Sequence, residues 1–519
     1  MSRPALLALM SRPALLALAC GGLGACGGPE TVQAYTVVTV DGVPAVHDVN
    51  LLRVTLSNSG SERTDELVFT GAFPFTFSVS APEREGELGI QIDAFDDNDF
   101  IVGQGSTTAQ IDDPAASVML DSTDFVVNTD FAGDQYPSDD YEAHGFQVAA
   151  GSDGTWTAAY RDACTQPCNM FARRFDVTGK PVSTRAAAGI NGFPMNSNPA
   201  DFPSTPAIAT AGPATLEVWD FSEPSPSTVD GVACRSLDTQ GNPTPNQLNI
   251  STDPSTDVVS ITPLSNMNFA VAWNSFMMTN TIRAAIVRPD CTVLTGPVNV
   301  STVTTGGPRK ASVASNPTSN KIMYAWVLSG SVRVRIASLT NAFDIGDTEF
   351  LPPTATEIVE HARVAPLGDG FAILVRWTLS TGFEGPGRIE LYRTNAAGAV
   401  IGSPTLVTTK SGTDFQSSEA FGVATSASGK LFVTWHACEA NGDGQGCGVY
   451  GRAFNSDGTP ASDEMTIPTT IVGDQTNPSV AALPNDAFAV VWRDDSMQAP
   501  DTAGSAIRAR IVYIGNGGN

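Results

Sequence analysis

The residues best spaced for chemistry lie in one short stretch, Glu439-Ala-Asn441-Gly-Asp443-Gly-Gln445, bracketed by Cys438 and Cys447. Oxygen-bearing side chains at alternate positions, with glycine at the sixth, suit a calcium ion. The stretch departs from such loops at both ends. Glu439 stands at the opening position, and Tyr450 takes the twelfth, where a bidentate carboxylate belongs. A polar turn closed by a disulfide is therefore the first reading, and a calcium site made by Glu439, Asn441 and Asp443 is the second. Asp96-Asp-Asn-Asp99 reads the same way. The chain has four histidines: His47, His144, His361 and His436. A three-histidine metal centre would need the last three to converge from distant segments. No Gly-x-Ser-x-Gly elbow, phosphate-binding loop, dinucleotide fingerprint or basic aromatic patch is present. No catalytic residue is assigned, and no cofactor is expected apart from the calcium alternative.

Charge narrows the partners. The 519 residues carry 54 Asp and Glu against 28 Lys and Arg, a net charge of −26. That balance repels nucleic acid and anionic lipid surfaces. No segment holds the ~18 consecutive apolar residues that a membrane-spanning helix needs.

The N-terminus reads as an export signal. Residues 1–9 recur identically as residues 10–18, and Met10 is the better start because Arg12 then precedes an apolar run from Ala14 to Ala19. Leu23-Gly-Ala-Cys26 follows, with two glycines behind it. This stretch resembles the bacterial lipoprotein signal. The resemblance implies that residues 1–26 comprise a signal peptide and its lipidation motif, with Cys26 as the acylated new N-terminus. Loss of Arg3 and Arg12 would deepen the net charge from −26 to −28. It also implies an outer-membrane lipoprotein in the envelope of a Gram-negative-type bacterium, touching membrane only through its lipid. Six further cysteines would then meet an oxidising compartment. Cys164 with Cys168, and Cys438 with Cys447, each bracket a turn-rich stretch and are the candidate disulfides. Cys234 and Cys291 remain without an assigned partner.

The elements that must position any site come in two groups. Residues 27–32 form a tether. Residues 33–122 alternate apolar and polar in short runs, Tyr35–Val40, Leu51–Leu56, Phe75–Val79, Leu88–Ala94 and Ser117–Leu120. Turn residues separate them, which predicts a small antiparallel β-sandwich of immunoglobulin-like architecture.

Residues 123–519 repeat. Apolar runs end at Tyr160, Trp219, Trp273, Trp326, Trp377, Trp435 and Trp492, at steps of 59, 54, 53, 51, 58 and 57 residues. Each unit reads as four strands: an outer strand, then an inner strand, a tryptophan-bearing strand, and one carrying a recurrent arginine before a tight turn. The arginines are Arg173, Arg235, Arg335, Arg452 and Arg510. Such a period without helices resembles a seven-bladed β-propeller. The region opens on an outer-type strand, Phe125–Asn128, and stops one strand short at Ile507–Ile511. The opening strand is therefore expected to complete the last blade. The aromatic slot is read as packing between blades, and the arginines as structural groups bonded to carboxylates or carbonyls.

Two loop classes are long: those from outer to inner strands, and those leaving the tryptophan strands. Both emerge on one face of a propeller, where binding resides by default. The sequence thus predicts a monomeric, lipid-anchored binding or scaffold protein contacting protein or glycan through that face. The competing expectation is a polysaccharide hydrolase or lyase using carboxylates at the channel mouth.

Overall fold

A computed structural model of the chain describes residues 8–10, 35–81, 84–111, 113–128, 146–161, 170–182, 193–196, 202–222, 230–253, 256–275, 280–303, 305–354, 356–379, 387–408, 421–438 and 442–514. It divides into two units, Met1–Thr123 and Asp124–Gly517. Among the described residues all regular structure is β-strand, apart from one short 3-10 turn, Pro484–Asp486.

In the first unit, seven strands follow the order Phe75–Ser80, Tyr35–Gly42, Ala115–Ser122, Ile101–Gln110, Glu87–Phe95, Leu51–Asn58 and Ser61–Val68. Ala8–Met10 pairs with the outer edge of Phe75–Ser80. Ile101–Gln110 runs along Glu87–Phe95 for its whole length but meets Ala115–Ser122 only at Gly103 and Gln104, so the sheet turns a corner there. Val38, Val40, Leu52, Val54, Leu56, Ile90 and Ile92 are buried at alternate positions, which fills one face of each layer. Two corrections to the expected sandwich follow. It is not wholly antiparallel, because Tyr35–Gly42 and Ala115–Ser122 pair in parallel. It also holds two strands that apolar alternation does not mark, Ser61–Val68 and Ile101–Gln110. The first is a charged edge strand with no buried face, and the second is rich in Gly, Ser, Thr and Gln.

The second unit is a seven-bladed β-propeller of four-stranded antiparallel sheets. The first blade runs Phe146–Ala150, Trp156–Arg161, Met170–Phe175, Phe193–Pro194. The seventh runs Gln475–Ala482, Ala487–Asp494, Ala506–Tyr513, and its outer strand is Phe125–Val126. Phe125 lies opposite Ala509, Val126 lies opposite Arg508, and the Val127 amide donates to the Ile507 carbonyl at 2.6 Å. The opening strand therefore seals the wheel, as its sequence implies, and among the described residues no unpaired edge remains between first and last blades.

The recurrent aromatics are at most 4 % exposed, too little for stacking on a sugar in solvent. Each tryptophan packs against the preceding blade. Trp219 sits with Ala159 and Met170, Trp273 with Leu216 and Val218, and Trp492 with Phe432 and Val449. An indole that removes roughly 200 Å² from water contributes about 5 kcal/mol of transfer free energy.

The recurrent arginines are staples between blades. Arg235 Nη1 donates to the Met195 carbonyl at 2.9 Å, Arg335 to Val300 at 2.8 Å, Arg452 to Val407 at 3.2 Å and Arg510 to Ile467 at 2.8 Å. Each acceptor directly follows, or lies just beyond, the outer strand of the preceding blade. Arg173 makes the same bond to Val127, so the borrowed strand is held like any native outer strand. A second arginine position lies directly across from the tryptophan, and the sequence reading does not mark it. It holds Arg283, Arg333, Arg388 and Arg508. These pair with Asp253, Asp347, Glu357 with Glu390, and Asp494 respectively.

Candidate functional site

The inner strands define a central channel. In six blades they are in register relative to the aromatic slot, and in the fifth Trp377 stands two residues further along its strand. Nearest the long-loop face stand Gln147, Ala207, Ser260, Ser312, Gly422 and Ser479, each paired with the residue before the Trp or Tyr. Arg363 takes that place in the fifth blade, since the Val364 amide meets Ser312 as the Val313 amide meets Ser260. The next layer is Val148, Ile208, Ile261, Val313, Val364, Val423 and Val480. One step deeper come Ala149, Ala209, Thr262, Ala314, Ala365, Ala424 and Ala481. An aliphatic ring thus follows a layer of small and polar residues in which one blade carries a guanidinium.

The channel encloses a cavity of about 170 Å³ lined by residues of all seven blades. Gln147, Ser260, Ser312, Asn477 and Ser479 give it hydrogen-bonding groups, and Arg363 gives it a charge. Among the described residues no Asp or Glu belongs to that lining. Two of the hydroxyls tie neighbouring blades together. Ser260 accepts the Val313 amide at 3.1 Å, and Ser312 accepts the Val364 amide at 3.2 Å. Each oxygen that accepts in this way keeps its own proton to donate.

Bulges lie where the inner strands approach the long-loop face. The register shifts between Pro203 and Pro206, Asp257 and Val259, Arg309 and Ser312, Val359 and His361, and Thr476 and Ser479. The extra residues turn side chains out of the ladder. One of them, Glu360, is buried and paired with buried Arg376. Nearby, His436 Nδ1 accepts the Asn477 amide at 3.2 Å. Burial first, and the Arg376 charge second, push the His436 imidazole down to about 3. A ring held neutral with its nitrogen committed to a backbone amide is poorly suited to carry protons at neutral pH. His361 packs edge-on to Phe421 at 5.2 Å. His144, the third histidine of the candidate metal centre, lies outside the described residues.

The calcium stretch divides in the same way. Glu439 and Asn441 lie outside the described residues. Asp443 accepts the Gln445 amide through Oδ1 at 2.9 Å, an ordinary turn contact. Cys438 and Cys447 are bonded, and the Cys447 amide donates to Asp474, which ties this loop to the next. Among the described residues no three His, Cys, Asp or Glu side chains cluster to hold a metal. Cys164 and Cys168 lie outside the described residues, as does Cys26. The two cysteines left unassigned by sequence, Cys234 and Cys291, are bonded to each other across the seam between blades two and three. Their positions within their repeats differ because one sits on a strand and the other on the next blade's turn, so repeat alignment alone could not pair them.

No protein-family model matches the chain, and no curated protein matches it. Solved structures that it resembles include a protein of unknown function from Dyadobacter fermentans, at 10 % identity over 76 % of this chain and 99 % of that one, with a TM-score of 0.42. Another is AofleA from Arthrobotrys oligospora, at 13 % identity over 68 % and 91 %, with a TM-score of 0.40. A third is a point mutant of the NanB sialidase from Streptococcus pneumoniae, at 10 % identity over 92 % and 94 %, with a TM-score of 0.39.

Proposed function

We propose that this chain is an exported binding or scaffold protein, held to the bacterial envelope by a lipid on Cys26, which contacts protein or glycan through the long-loop face of its propeller. The observation that carries the reading is the composition of the channel. Glycoside hydrolysis calls for two carboxylates flanking the scissile bond, about 5–10 Å apart. The cavity lining holds an aliphatic ring, amides, hydroxyls and one arginine, and among the described residues no carboxylate. The two disulfides are consistent with an oxidising compartment. The surplus of carboxylates disfavours nucleic acid, and the sealed wheel leaves no sheet edge between its first and last blades to recruit a second copy.

The test is a glycan and protein-partner array probed with the purified chain, run beside an assay for released reducing ends. Saturable binding without turnover is the expected result. Turnover that disappears on charge reversal of loop-face Asp or Glu residues would install the hydrolase in its place. Anchoring is tested separately by palmitate labelling of the wild type and Cys26→Ala. Equal labelling of the two would remove the lipid from the proposal.

A further inference from the structure

We propose that the long-loop face carries, where the sixth blade meets the seventh, a docking site for a polypeptide segment that offers an apolar side chain flanked by lysine or arginine. The proposal rests on the protein arm of the loop-face reading and names the chemistry of the partner.

Exposed apolar surface on that face gathers here. Ile471 and Val472, in the loop from the sixth blade's outer strand to the seventh blade's inner strand, are 39 % and 48 % exposed, and Met497, in the loop leaving the Trp492 strand, is 58 % exposed. Among the described residues the propeller's other exposed large apolar side chains, Met267, Leu294, Val400, Ile401 and Leu406, stand on or beside short turns and outer strands. The two loops run side by side. The Asp495 amide donates to the Asp474 carbonyl at 2.9 Å, and a Cβ on Gly473 would lie 3.3 Å from the Ser496 Cα. Both loops are pinned from below. Buried Gln475 donates through Nε2 to the Val472 and Gly473 carbonyls at 3.0 and 3.1 Å. Arg508 Nη2 donates to the Gln498 and Ala499 carbonyls at 2.8 and 3.3 Å. Apolar side chains left in solvent on so fixed a backbone lose little freedom when a partner covers them.

Charge selects the partner. On one side the Asp124 carboxylate accepts the Thr469 and Thr470 hydroxyls at 2.6 and 3.1 Å and the Thr470 amide at 3.2 Å. On the other, Asp474 accepts the Cys447 amide at 2.9 Å. Hydroxyls and amides hold these carboxylates in place without cancelling their charge. Burial first, and the neighbouring Asp474 and Asp494 charges after it, hold the Asp495 carboxyl above its ordinary 3.8 against the pull of Arg493. An apolar strip set between carboxylates suits a guest with an apolar anchor and a cation on either side of it. A neutral glycan would supply neither.

The test is fluorescence anisotropy of labelled synthetic peptides with the purified full chain. The parent peptide is Lys-Lys-Leu-Leu-Lys-Lys, and its three counterparts replace every Lys by Ser, every Lys by Glu, or every Leu by Ser. The parent should bind saturably, with an affinity that falls as salt rises, and each counterpart should bind about tenfold more weakly or not at all. Val472→Ser and Met497→Ser together should lower the affinity for the parent by about tenfold or more, as loss of an anchor does. Leu294→Ser, a change at an exposed site on the third blade's outer strand, should leave it unchanged. Asp474→Asn keeps an oxygen for the Cys447 amide and should weaken binding about two- to fivefold, with a shallower salt dependence. If the doubly substituted chain fails to fold, Met497→Ser alone serves in its place. No saturable binding of the parent, equal binding of the Leu-free peptide, or equal binding by the doubly substituted chain would overturn the proposal. Turnover in the reducing-end assay would instead overturn the loop-face reading. Array ligands that bind wild type and the doubly substituted chain alike would overturn this site and leave that reading standing.

Discussion

Replacing Glu217 with valine should stabilise the propeller, and by more at pH 8 than at pH 4.5. Glu217 lies two residues before Trp219, opposite Ile208 of the channel ring and Arg235 of the next strand. Its counterparts are Ala158, Val271, Tyr324, Val375, Val433 and Val490. The side chain is fully buried, and neither carboxylate oxygen has a hydrogen-bond partner. Leaving such a group unsatisfied costs about 1–3 kcal/mol, and valine fills the slot in four sister blades without that cost. At ~2.1 cal/mol/K per residue over the Asp124–Gly517 unit, such a gain raises the midpoint by about 1–4 °C. Burial raises the carboxyl well above its ordinary value of 4.5, with Arg235 opposing. A raised carboxyl favours folding fully below 4.5, and that contribution fades as pH rises through the folded value. Wild type therefore loses stability with rising pH in a way that Glu217→Val cannot. Calorimetry of both proteins from pH 4.5 to 8 should show the gap widening, and Glu217→Gln should cancel the pH-dependent part. A gap that is constant with pH, or a valine variant less stable at pH 7, would mean that the Arg235 charge compensates Glu217 after all, and the reasoning would fail.

Three further outcomes follow from the seams between blades. Arg335→Ala removes charged donors from the Val300 and Ile345 carbonyls and should cost about 1.5–3 kcal/mol in denaturant unfolding, and Arg335→Lys should recover less than half of it. Val127→Pro deletes the amide that donates to Ile507, so it should unlatch the wheel, lower the midpoint and produce higher oligomers in size-exclusion chromatography. Joint replacement of Cys234 and Cys291 by alanine should cost about 4 kcal/mol by loop-closure entropy, and reductant should destabilise the wild type more than this variant.

The repeat is legible because one slot must hold a large aromatic in every blade, and burial between sheets constrains that slot more than any other. The closing strand is legible for a similar reason. An outer-type strand at one end of the repeats and a missing one at the other leave a single economical pairing. Ser61–Val68 is invisible to apolar alternation because a charged edge strand has no buried face to mark it. The parallel pairing of Tyr35–Gly42 with Ala115–Ser122 is equally hidden, since strand direction across a sheet leaves no trace in the pattern of either strand. The place of Arg363 beside Ser312 is hidden because Trp377 stands two residues further along its strand than the other tryptophans, so counting from the aromatic slot misaligns the fifth blade.

That comparison yields a general rule for reading this wheel. Where a position is shared by most blades, its chemistry belongs to assembly: the indole against the previous sheet, and the guanidinium on the previous outer strand's carbonyl. Where one blade departs, assembly does not explain the residue, and either it is compensated locally or it serves something else. The fifth blade carries Glu390 on its third strand, and its charge is met at once by Arg388, with Trp377 Nε1 at 2.9 Å and the Tyr392 hydroxyl at 2.7 Å donating to it. That departure closes on itself.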